Sequence, residues 1–248
     1  METTRAPGPT EGLGIWAQGL VKRYGDRLAV DGLCLDAPRG SVLALLGPNG
    51  AGKTTTVGML SCLLRMDGGE AVVGGFDLRQ DWKEAKRVCG VSPQESAVAE
   101  RLSVRENLEL IAGTYGMGAK ERRRRAEELA EGLGLSDRLA SRVHTLSGGL
   151  KRRLSIAMAL VSGPELLFLD EPSLGLDPQA RRSLWTYIES LKGSATIVLT
   201  THYLAEAEAL ADGIVIMRDC RAIASGSVAE IRAAAFGASG DNRASLAA

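Results

Sequence analysis

The chain has 248 residues, 45% of them hydrophobic, which is enough to bury the core of one large α/β domain. Its 30 basic and 30 acidic residues cancel, which argues against a surface that recruits nucleic acid or an anionic membrane through overall charge. Four scattered cysteines without a C-x-x-C pair, no signal-peptide layout and no apolar run of roughly 18 residues predict a cytoplasmic protein without a membrane span.

The first predicted elements are β-strands. Residues 1–12 are rich in Thr, Pro and Gly, so we expect a flexible tail there and a folded domain that begins at residue 13. From residue 15 to about 37, short β-like segments broken at 25–26 and 31–32 predict antiparallel strands. Tyr24 at the first break is a candidate for stacking on a nucleotide base, although a Tyr at a strand end more often only packs.

A glycine-rich loop follows the apolar run 42–46 and precedes a helical repeat of apolar residues. In this context G-x-x-x-x-G-K-S/T binds a polyphosphate, because backbone N–H groups and the helix N-terminus point to one place. Lys53 is expected to neutralise the β- and γ-phosphates, Thr54 to ligate Mg²⁺, and Thr55 to lie within reach of the phosphates. The predicted nucleotide-binding loop consists of Gly47, Pro48, Asn49, Gly50, Ala51, Gly52, Lys53, Thr54 and Thr55.

A short strand over residues 87–91 follows further β material near 68–73. Gln94 leaves this strand at the end where ligands collect in open parallel sheets. Helical patterns then predict a helical lobe over residues 95–160, inserted in the α/β core. A capping box at Ser103 marks the start of its first helix. The Arg run 122–125 is interpreted as the solvated face of the second helix, since glutamates follow it at four-residue spacing.

The segment 146–149, Leu-Ser-Gly-Gly, precedes another helix. Ser147 could be only the N-cap of that helix, with Gly148 and Gly149 as flexible neighbours. The residues that follow favour a second interpretation, because a buried strand over 165–169 delivers Asp170 and Glu171 to its carboxyl end. Paired carboxylates at the end of such a strand require a cation or another partner.

Asp170 is therefore a candidate for holding Mg²⁺, and Glu171 for orienting the water that attacks a γ-phosphate. Asp177 lies in the turn before the next helix. His202 ends the buried strand 195–201, and we expect it to donate a hydrogen bond to the γ-phosphate rather than to fill a structural role. A hairpin over 214–224 closes the domain at residue 231, and residues 232–248 are expected to form a second flexible tail.

Taken together and in this order, these motifs resemble the nucleotide-binding domain of ABC transporters. The resemblance implies an α/β fold with a P-loop NTPase core. Its sheet is mostly parallel, and it carries an antiparallel β subdomain and a helical lobe with the 146–149 signature. One such domain would occupy residues 13–231.

The resemblance also implies the chemistry and the partners. ATP and Mg²⁺ are the expected cofactors, and Lys53, Glu171 and His202 the catalytic residues. Besides the loop, Tyr24, Gln94, Ser147, Gly148, Gly149 and Asp177 would contact nucleotide, and Thr54, Gln94 and Asp170 would ligate the metal. A second copy of the same or a homologous domain would complete each site. Separate transmembrane permease subunits would bind the pair on the cytoplasmic face of the membrane, and no nucleic acid is expected.

Leu150 departs from the Gln of many family members, and Lys151-Arg152-Arg153 after it is similar to export-type systems for drugs, lipids or polysaccharides. Two other functions stay open from the sequence. One is a soluble ABC-type ATPase in translation or DNA repair, which would usually carry two domains or a coiled-coil insert. The other is a regulatory module that binds nucleotide without cleaving it, against which Glu171 and His202 argue.

Overall fold

The computed structural model describes residues 11–237. Of the tails predicted over 1–12 and 232–248, residues 1–10 and 238–248 lie outside this part. The strands within it are β1 (Leu13–Tyr24), β2 (Arg27–Pro38), β3 (Val42–Leu46), β4 (Gly68–Val73), β5 (Phe76–Asp77), β6 (Cys89–Ser92), β7 (Leu166–Asp170), β8 (Thr196–Thr201), β9 (Gly213–Arg218) and β10 (Arg221–Ser227). The helices within it are α1 (Lys53–Leu60), α2 (Trp82–Arg87), α3 (Val104–Thr114), α4 (Ala119–Gly132), α5 (Gly148–Leu160), α6 (Pro178–Ser190), α7 (Leu204–Leu210) and α8 (Val228–Gly237).

A six-stranded sheet in the order β10-β9-β3-β8-β7-β6 forms the centre of the fold. Every neighbouring pair is parallel except β9 and β10, which form the predicted hairpin. This confirms the expected α/β core with a mostly parallel sheet. Because parallel strands share a direction, the carboxyl ends of β3, β6, β7 and β8 lie at one edge.

The apolar strand sequences follow from burial on both sheet faces. Successive side chains of a strand point to opposite faces, so Val42 and Ala44 of β3 join one core cluster while Leu43 and Leu45 join the other. The first cluster contains α3 to α7, and the second contains α1 and the antiparallel sheet. A strand covered on both faces has no polar side, which explains its continuous apolar sequence.

The antiparallel subdomain is a second sheet in the order β2-β1-β4-β5. The sequence predicted short strands interrupted at residues 25–26 and 31–32. The strands are longer than that, because only residues 25–26 form a turn. At the second predicted break the pairing shifts from Leu20 opposite Leu33 to Lys22 opposite Val30, and Gly32 has φ of 67°. The glycine therefore forms an irregularity inside β2, and the expected interruption there is wrong.

The helical lobe contains α3, α4 and α5, and the capping box that begins α3 is present as predicted. Ser103 accepts a hydrogen bond from the Glu106 amide at 3.2 Å, while the Glu106 carboxylate accepts one from the Ser103 amide. On α4, Arg123 and Arg124 pair with Glu127 and Glu128 at the solvent-exposed face. These two arginines fit the predicted solvated face. For Arg125 that interpretation is wrong, because its half-buried guanidinium donates to the carbonyl oxygens of Leu160 and Val161 at the end of α5.

Two helices differ from the expectation. Residue 87, predicted as strand, ends α2, which was missed because six residues are too few to display helical periodicity. At the other end, α8 continues to residue 237, past the predicted domain end at 231. Its alanines favour helix, and Ser227 and Glu230 exchange hydrogen bonds at its start. None of the helices in residues 11–237 is long and apolar enough to cross a membrane.

We predict that Ser103→Ala lowers the free energy of unfolding by about 1 kcal/mol, because the amides at the start of α3 lose their side-chain acceptor. Urea denaturation followed by circular dichroism measures the change. Ser183→Ala is the matched control, since the exposed Ser183 hydroxyl only donates to the Gln179 carbonyl within α6. Its effect is expected to stay within about 0.5 kcal/mol. Equal losses in the two variants would contradict the capping role.

Candidate active site

Polar residues follow four neighbouring strands at one edge of the parallel sheet. The loop 47–55 follows β3, Gln94 follows β6, and His202 follows β8. Asp170 is the last residue of β7 and Glu171 comes next. The strand order β3-β8-β7-β6 therefore gathers these groups although they are far apart in sequence.

At two positions of the glycine loop, the backbone of a neighbouring strand lies so close that a side chain would not fit. A Cβ on Gly47 would lie 2.2 Å from the carbonyl oxygen of Met217, and one on Gly52 would lie 2.4 Å from that of Ala29. Gly52 also has φ of 97°, which favours glycine, and it directly precedes α1. The loop is thus wedged between the ends of β2 and β9, with its amides at the N-terminus of α1.

Lys53 is a buried cation, only 5% exposed, at the first position of α1. Its Nζ donates to the carbonyl oxygen of Gly47 at 2.7 Å and lies 3.3 Å from Oε1 of Glu171. This ion pair joins the end of β3 to the end of β7. A buried ammonium requires such partners, because desolvation costs several kcal/mol when a charge is left unpaired.

Glu171 is also buried and has strained backbone, with φ of 51°. L-residues adopt this left-handed region at a cost of about 1–3 kcal/mol, so the surrounding contacts must hold it there. One such contact is the hydrogen bond from the Glu171 amide to Oγ1 of Thr200 at 2.9 Å. Such strain is concentrated at functional sites.

His202 is the second partner of the Glu171 carboxylate. Its Nδ1 lies 2.8 Å from Oε2 of Glu171. Because a carboxylate only accepts hydrogen bonds, Nδ1 carries the proton, and Nε2 is left to interact with a ligand. The predicted partner of His202 was a γ-phosphate, and in this structure the imidazole contacts Glu171.

Asp170 lies beside the hydroxyls of two threonines. Oγ1 of Thr54 donates to Oδ1 of Asp170 at 3.2 Å, and Oγ1 of Thr200 donates to the same oxygen. The carboxylate of Asp170 is 2% exposed. The loop after β3 and the end of β7 therefore present a hydroxyl and a carboxylate oxygen at one point.

A cleft of about 360 Å³ opens above these groups. Tyr24, Gln94 and Glu171 line it, and so do Ala29 and Arg27, whose Nη2 would lie 4.0 Å from a Cβ placed on Gly50. The loop contributes Asn49, Gly50, Gly52, Lys53, Thr54 and Thr55, whereas Gly47, Pro48 and Ala51 are not among the lining residues. Tyr24 is 48% exposed, so one ring face is available for stacking. The volume is in the range of small-molecule sites, and the polar floor with an aromatic wall suits a nucleotide.

The donor set at the cleft floor fits Mg²⁺. Thr54 and Asp170 offer hard oxygen ligands within hydrogen-bond distance of one another. Mg²⁺ commonly uses one or two carboxylates and completes its shell with water and substrate phosphates. Accordingly, residues 11–237 contain no cluster of three or more His, Cys, Asp or Glu that would hold a metal without a substrate.

The signature residues do not line this cleft. Ser147 is the N-cap of α5, where its hydroxyl accepts from the Leu150 amide at 3.4 Å. Ser147 and Gly148 are exposed, and a Cβ on Gly148 would meet nothing within 4 Å. A Cβ on Gly149 would approach Leu176 at 3.1 Å. The N-terminus of α5 is therefore a second, open helix end on the helical lobe.

Asp177 caps the N-terminus of α6, one residue after Leu176. Its carboxylate accepts hydrogen bonds from the amides of Ala180 at 2.8 Å and Gln179 at 2.9 Å. These hydrogen bonds hold the pKa of Asp177 below its ordinary value, and the bond from the Ala180 amide has the largest effect. Asp177 thus lies near the signature segment and outside the cleft that contains Lys53.

Three residues at the site were missed from sequence. Thr200 is a polar residue inside a buried strand, which is a signal that it serves a neighbouring group. Arg27 and Arg152 gave no signal of their own, because one directly follows a turn and the other lies in a run of three basic residues. Only the fold places Arg27 at the cleft and the Arg152 guanidinium against the backbone of Asp170.

The sequence profile of the ABC transporter family matches residues 30–174. The daunorubicin resistance ATP-binding protein DrrA3 of Streptomyces coeruleorubidus is 46% identical over 220 residues, which cover 88% of this chain and 70% of that protein. The Nod factor export ATP-binding protein I of Ralstonia nicotianae is 39% identical over 236 residues, covering 93% and 73%. The chain spans about two thirds of the length of the daunorubicin resistance relatives.

Among solved structures, the fold is similar to the dimeric post-hydrolysis state of the ATP-binding cassette MJ0796 bound to ADP and Pi. The TM-score is 0.79 with 25% sequence identity, over 86% of this chain and 98% of that one. The similarity covers both the cleft-bearing core and the helical lobe.

We predict that Gly47→Ala lowers thermal stability while Gly148→Ala does not. The added methyl at residue 47 collides with the backbone of β9, an overpacking that costs about 1–3 kcal/mol or more. At residue 148 the methyl enters open space at the first position of α5, and alanine there stabilises a helix by up to about 1 kcal/mol. Thermal melts of the two variants make the comparison. Equal destabilisation would refute the assignment of Gly148 as structurally unconstrained.

Proposed function

The chain belongs to the ABC transporter family, and from this membership we propose that it is the ATP-hydrolysing subunit that powers export of a substrate through separate membrane-spanning subunits. It is an ATPase of that family and binds ATP. The observation that carries the assignment of its residues is the contact of the buried Lys53 with the buried Glu171 at the floor of the loop-lined cleft.

We propose that the triphosphate enters this cleft with its base against Tyr24 and its phosphates on the loop 47–55. Without nucleotide, Lys53 is compensated by Glu171 and by the carbonyl oxygens of Gly47 and Pro48. The β- and γ-phosphates would offer Lys53 stronger anionic partners. Binding of ATP would therefore weaken the contact between Lys53 and Glu171 and free one oxygen of that carboxylate.

Glu171 is proposed as the group that polarises the attacking water. Its strained backbone and its buried carboxylate hold it at the carboxyl end of β7. His202 would keep the carboxylate oriented through Nδ1–H, and as an imidazolium it would also donate to the γ-phosphate through Nε2–H. This division of roles follows the positions of the two groups on neighbouring strands.

Bound Mg²⁺ would neutralise the charge that builds on the phosphate oxygens. Thr54 and Asp170 are proposed to hold it, with Gln94 contributing from the end of β6. Thr200 would fix the carboxylate of Asp170 through the hydrogen bond between them. Thr55 is left within reach of the phosphates.

We propose further that two copies, or this chain and a homologue, close over two ATP molecules. Ser147, Gly148 and Gly149 of one copy would cover the γ-phosphate held by the other, and Asp177 would lie between the two sites. Two features support this arrangement: the exposed N-terminus of α5, and its separation from the cleft of its own chain. The similar cassette MJ0796 is dimeric with ADP and Pi bound.

The direction of transport is inferred from the relatives. One is a daunorubicin resistance protein and another a Nod factor export protein, and both are ATP-binding proteins by name. We propose that this chain likewise serves export, with a drug, a lipid or a polysaccharide as the class of substrate. The chain would act on the cytoplasmic face of the membrane, attached through its permease subunits.

We predict that Glu171→Gln lowers ATP turnover by about 100-fold or more, because an amide cannot accept a proton from the attacking water. Since nucleotide binding survives, the variant is expected to accumulate as an ATP-bound dimer. Size-exclusion chromatography with light scattering at saturating ATP and Mg²⁺ measures the dimer. A monomeric variant that hydrolyses ATP as fast as the wild-type chain would refute the assigned role.

The matched control adds Ser147→Asp to Glu171→Gln. Aspartate is as good an N-cap as serine, so α5 is expected to remain folded, but its charge would face the γ-phosphate of the second copy. This double variant should bind ATP and stay monomeric. Dimerisation as in the single variant would disprove the proposed contact of Ser147.

The partners are tested by affinity purification from detergent-solubilised membranes of cells that produce the chain. We expect a multi-span hydrophobic protein to co-purify, with no extracytoplasmic binding protein. Co-purification with ribosomes that survives high salt would contradict the transport assignment. Recovery of an extracytoplasmic binding protein would indicate uptake and overturn the proposed direction.

A further inference from the structure

Arg152 is a buried cation that the proposed mechanism does not use. It lies on the second turn of α5, five residues after Ser147, and is 4% exposed. Its neighbours Lys151 and Arg153 differ in their partners. Lys151 pairs with Glu100 near the surface, and Arg153 donates to the carbonyl oxygen of Leu133 within the helical lobe. Only Arg152 of these three points into the edge of the parallel sheet.

The guanidinium of Arg152 donates to four backbone carbonyl oxygens. Nη1 contacts those of Pro93 and of Gln94, the latter at 3.1 Å. Nη2 contacts the carbonyl oxygen of Asp170, and Nε contacts that of Pro172 at 3.3 Å. These carbonyls belong to two segments, one after β6 and one at the end of β7. One rigid planar group therefore holds both segments at a fixed distance from α5.

Burial of this charge is compensated by dipoles and by distant carboxylates. Desolvation lowers the pKa of Arg152, and the fields of Asp170, Glu206 and Glu171 oppose that shift. Glu206 is itself fully buried on α7, where the indole of Trp185 donates to Oε1 at 3.0 Å. The free-energy cost of desolvating the Arg152 guanidinium is offset by these hydrogen bonds and carboxylates, so the charge stays in place only while it keeps these partners.

Two of the four carbonyls belong to residues of the proposed metal site. Arg152 fixes the backbone of Gln94 and of Asp170. Gln94 lines the cleft, and the Asp170 carboxylate accepts a hydrogen bond from Thr54, which also lines it. A second link runs parallel to it, since the hydroxyls of Ser155 and Ser92 lie 3.0 Å apart between α5 and the end of β6. The helix that begins with the signature residues is thus tied to the backbone of the metal-binding residues.

We propose that Arg152 is a positioning residue for the Mg²⁺ site, acting through the backbone of Gln94 and Asp170, and that it ties the signature helix to that site. The inference rests on the proposed function, because it requires Asp170 and Gln94 to serve the metal. Removing a group that holds a metal ligand in position, without itself touching the metal, typically lowers metal affinity or activity by about 10–100-fold.

The test compares Arg152→Gln with wild type in the full chain. We expect the Mg²⁺ concentration for half-maximal hydrolysis at saturating ATP to rise by about 10-fold or more, and kcat to fall more than KM rises. A second readout does not depend on turnover. It is the difference between the melting temperature of the protein with ATP and Mg²⁺ and its melting temperature with ATP and EDTA. This increment should be lost in Arg152→Gln. Arg152→Lys is the second variant, and its single nitrogen cannot reach both segments, so its Mg²⁺ requirement should also rise.

Arg125→Gln is the matched control. Arg125 also donates to two backbone carbonyl oxygens, those of Leu160 at 2.6 Å and Val161 at 3.1 Å, but at the far end of α5. Its replacement should lower the melting temperature without changing the Mg²⁺ requirement. A merely structural role for Arg152 predicts the same behaviour for both arginines.

The two levels of the proposal fail differently. If wild type hydrolyses ATP and both Arg152 variants keep its Mg²⁺ requirement and Mg²⁺-dependent melting increment, the positioning role is overturned and the proposed function stands. If wild type neither binds nor hydrolyses ATP with Mg²⁺, the proposed function and this inference fall together. A raised Mg²⁺ requirement in Arg152→Gln and not in Arg125→Gln supports the inference.

Discussion

The ion pair between Lys53 and Glu171 is the interaction on which the site depends. Lys53 at the start of α1 and Glu171 after β7 are each about 5% exposed, and each charge must keep a partner within reach because water is excluded. The pair therefore fixes the phosphate loop relative to the carboxyl end of β7. On the proposed function it would also make the site responsive, because a bound triphosphate would compete with Glu171 for the same ammonium.

The separation of the cleft from the signature segment is a second constraint. Both α1 and α5 begin beside glycines, but the cleft lies at the start of α1 and not at the start of α5. Ser147 and Gly148 are exposed and leave space at the N-terminus of α5. On the proposed function such a chain would supply half of each site, which is why association and hydrolysis are proposed as one cycle.

The fold was predictable wherever local sequence and tertiary packing agree. The continuous apolar strands, the capping box at Ser103 and the glycine loop each carry their physical cause in adjacent residues, and all three are present. Elements without such signals were missed. The helix α2 is too short to show a period, the irregularity at Gly32 resembles a strand break, and α8 continues beyond the expected end of the domain.

For the site, the sequence determined which chemical groups are available and in which order along the chain the predicted strands carry them. Strand and loop patterns are local, so they identified Lys53, Asp170, Glu171 and His202 without knowledge of the fold. The tertiary structure alone decided which of these groups meet. It places the Thr200 hydroxyl against the Asp170 carboxylate and the Glu171 amide. It also places the Arg152 guanidinium against the backbone carbonyls of Gln94 and Asp170. Such contacts depend on the strand order of the sheet and on the packing of α5 against it, and neither is encoded in the spacing of neighbouring residues.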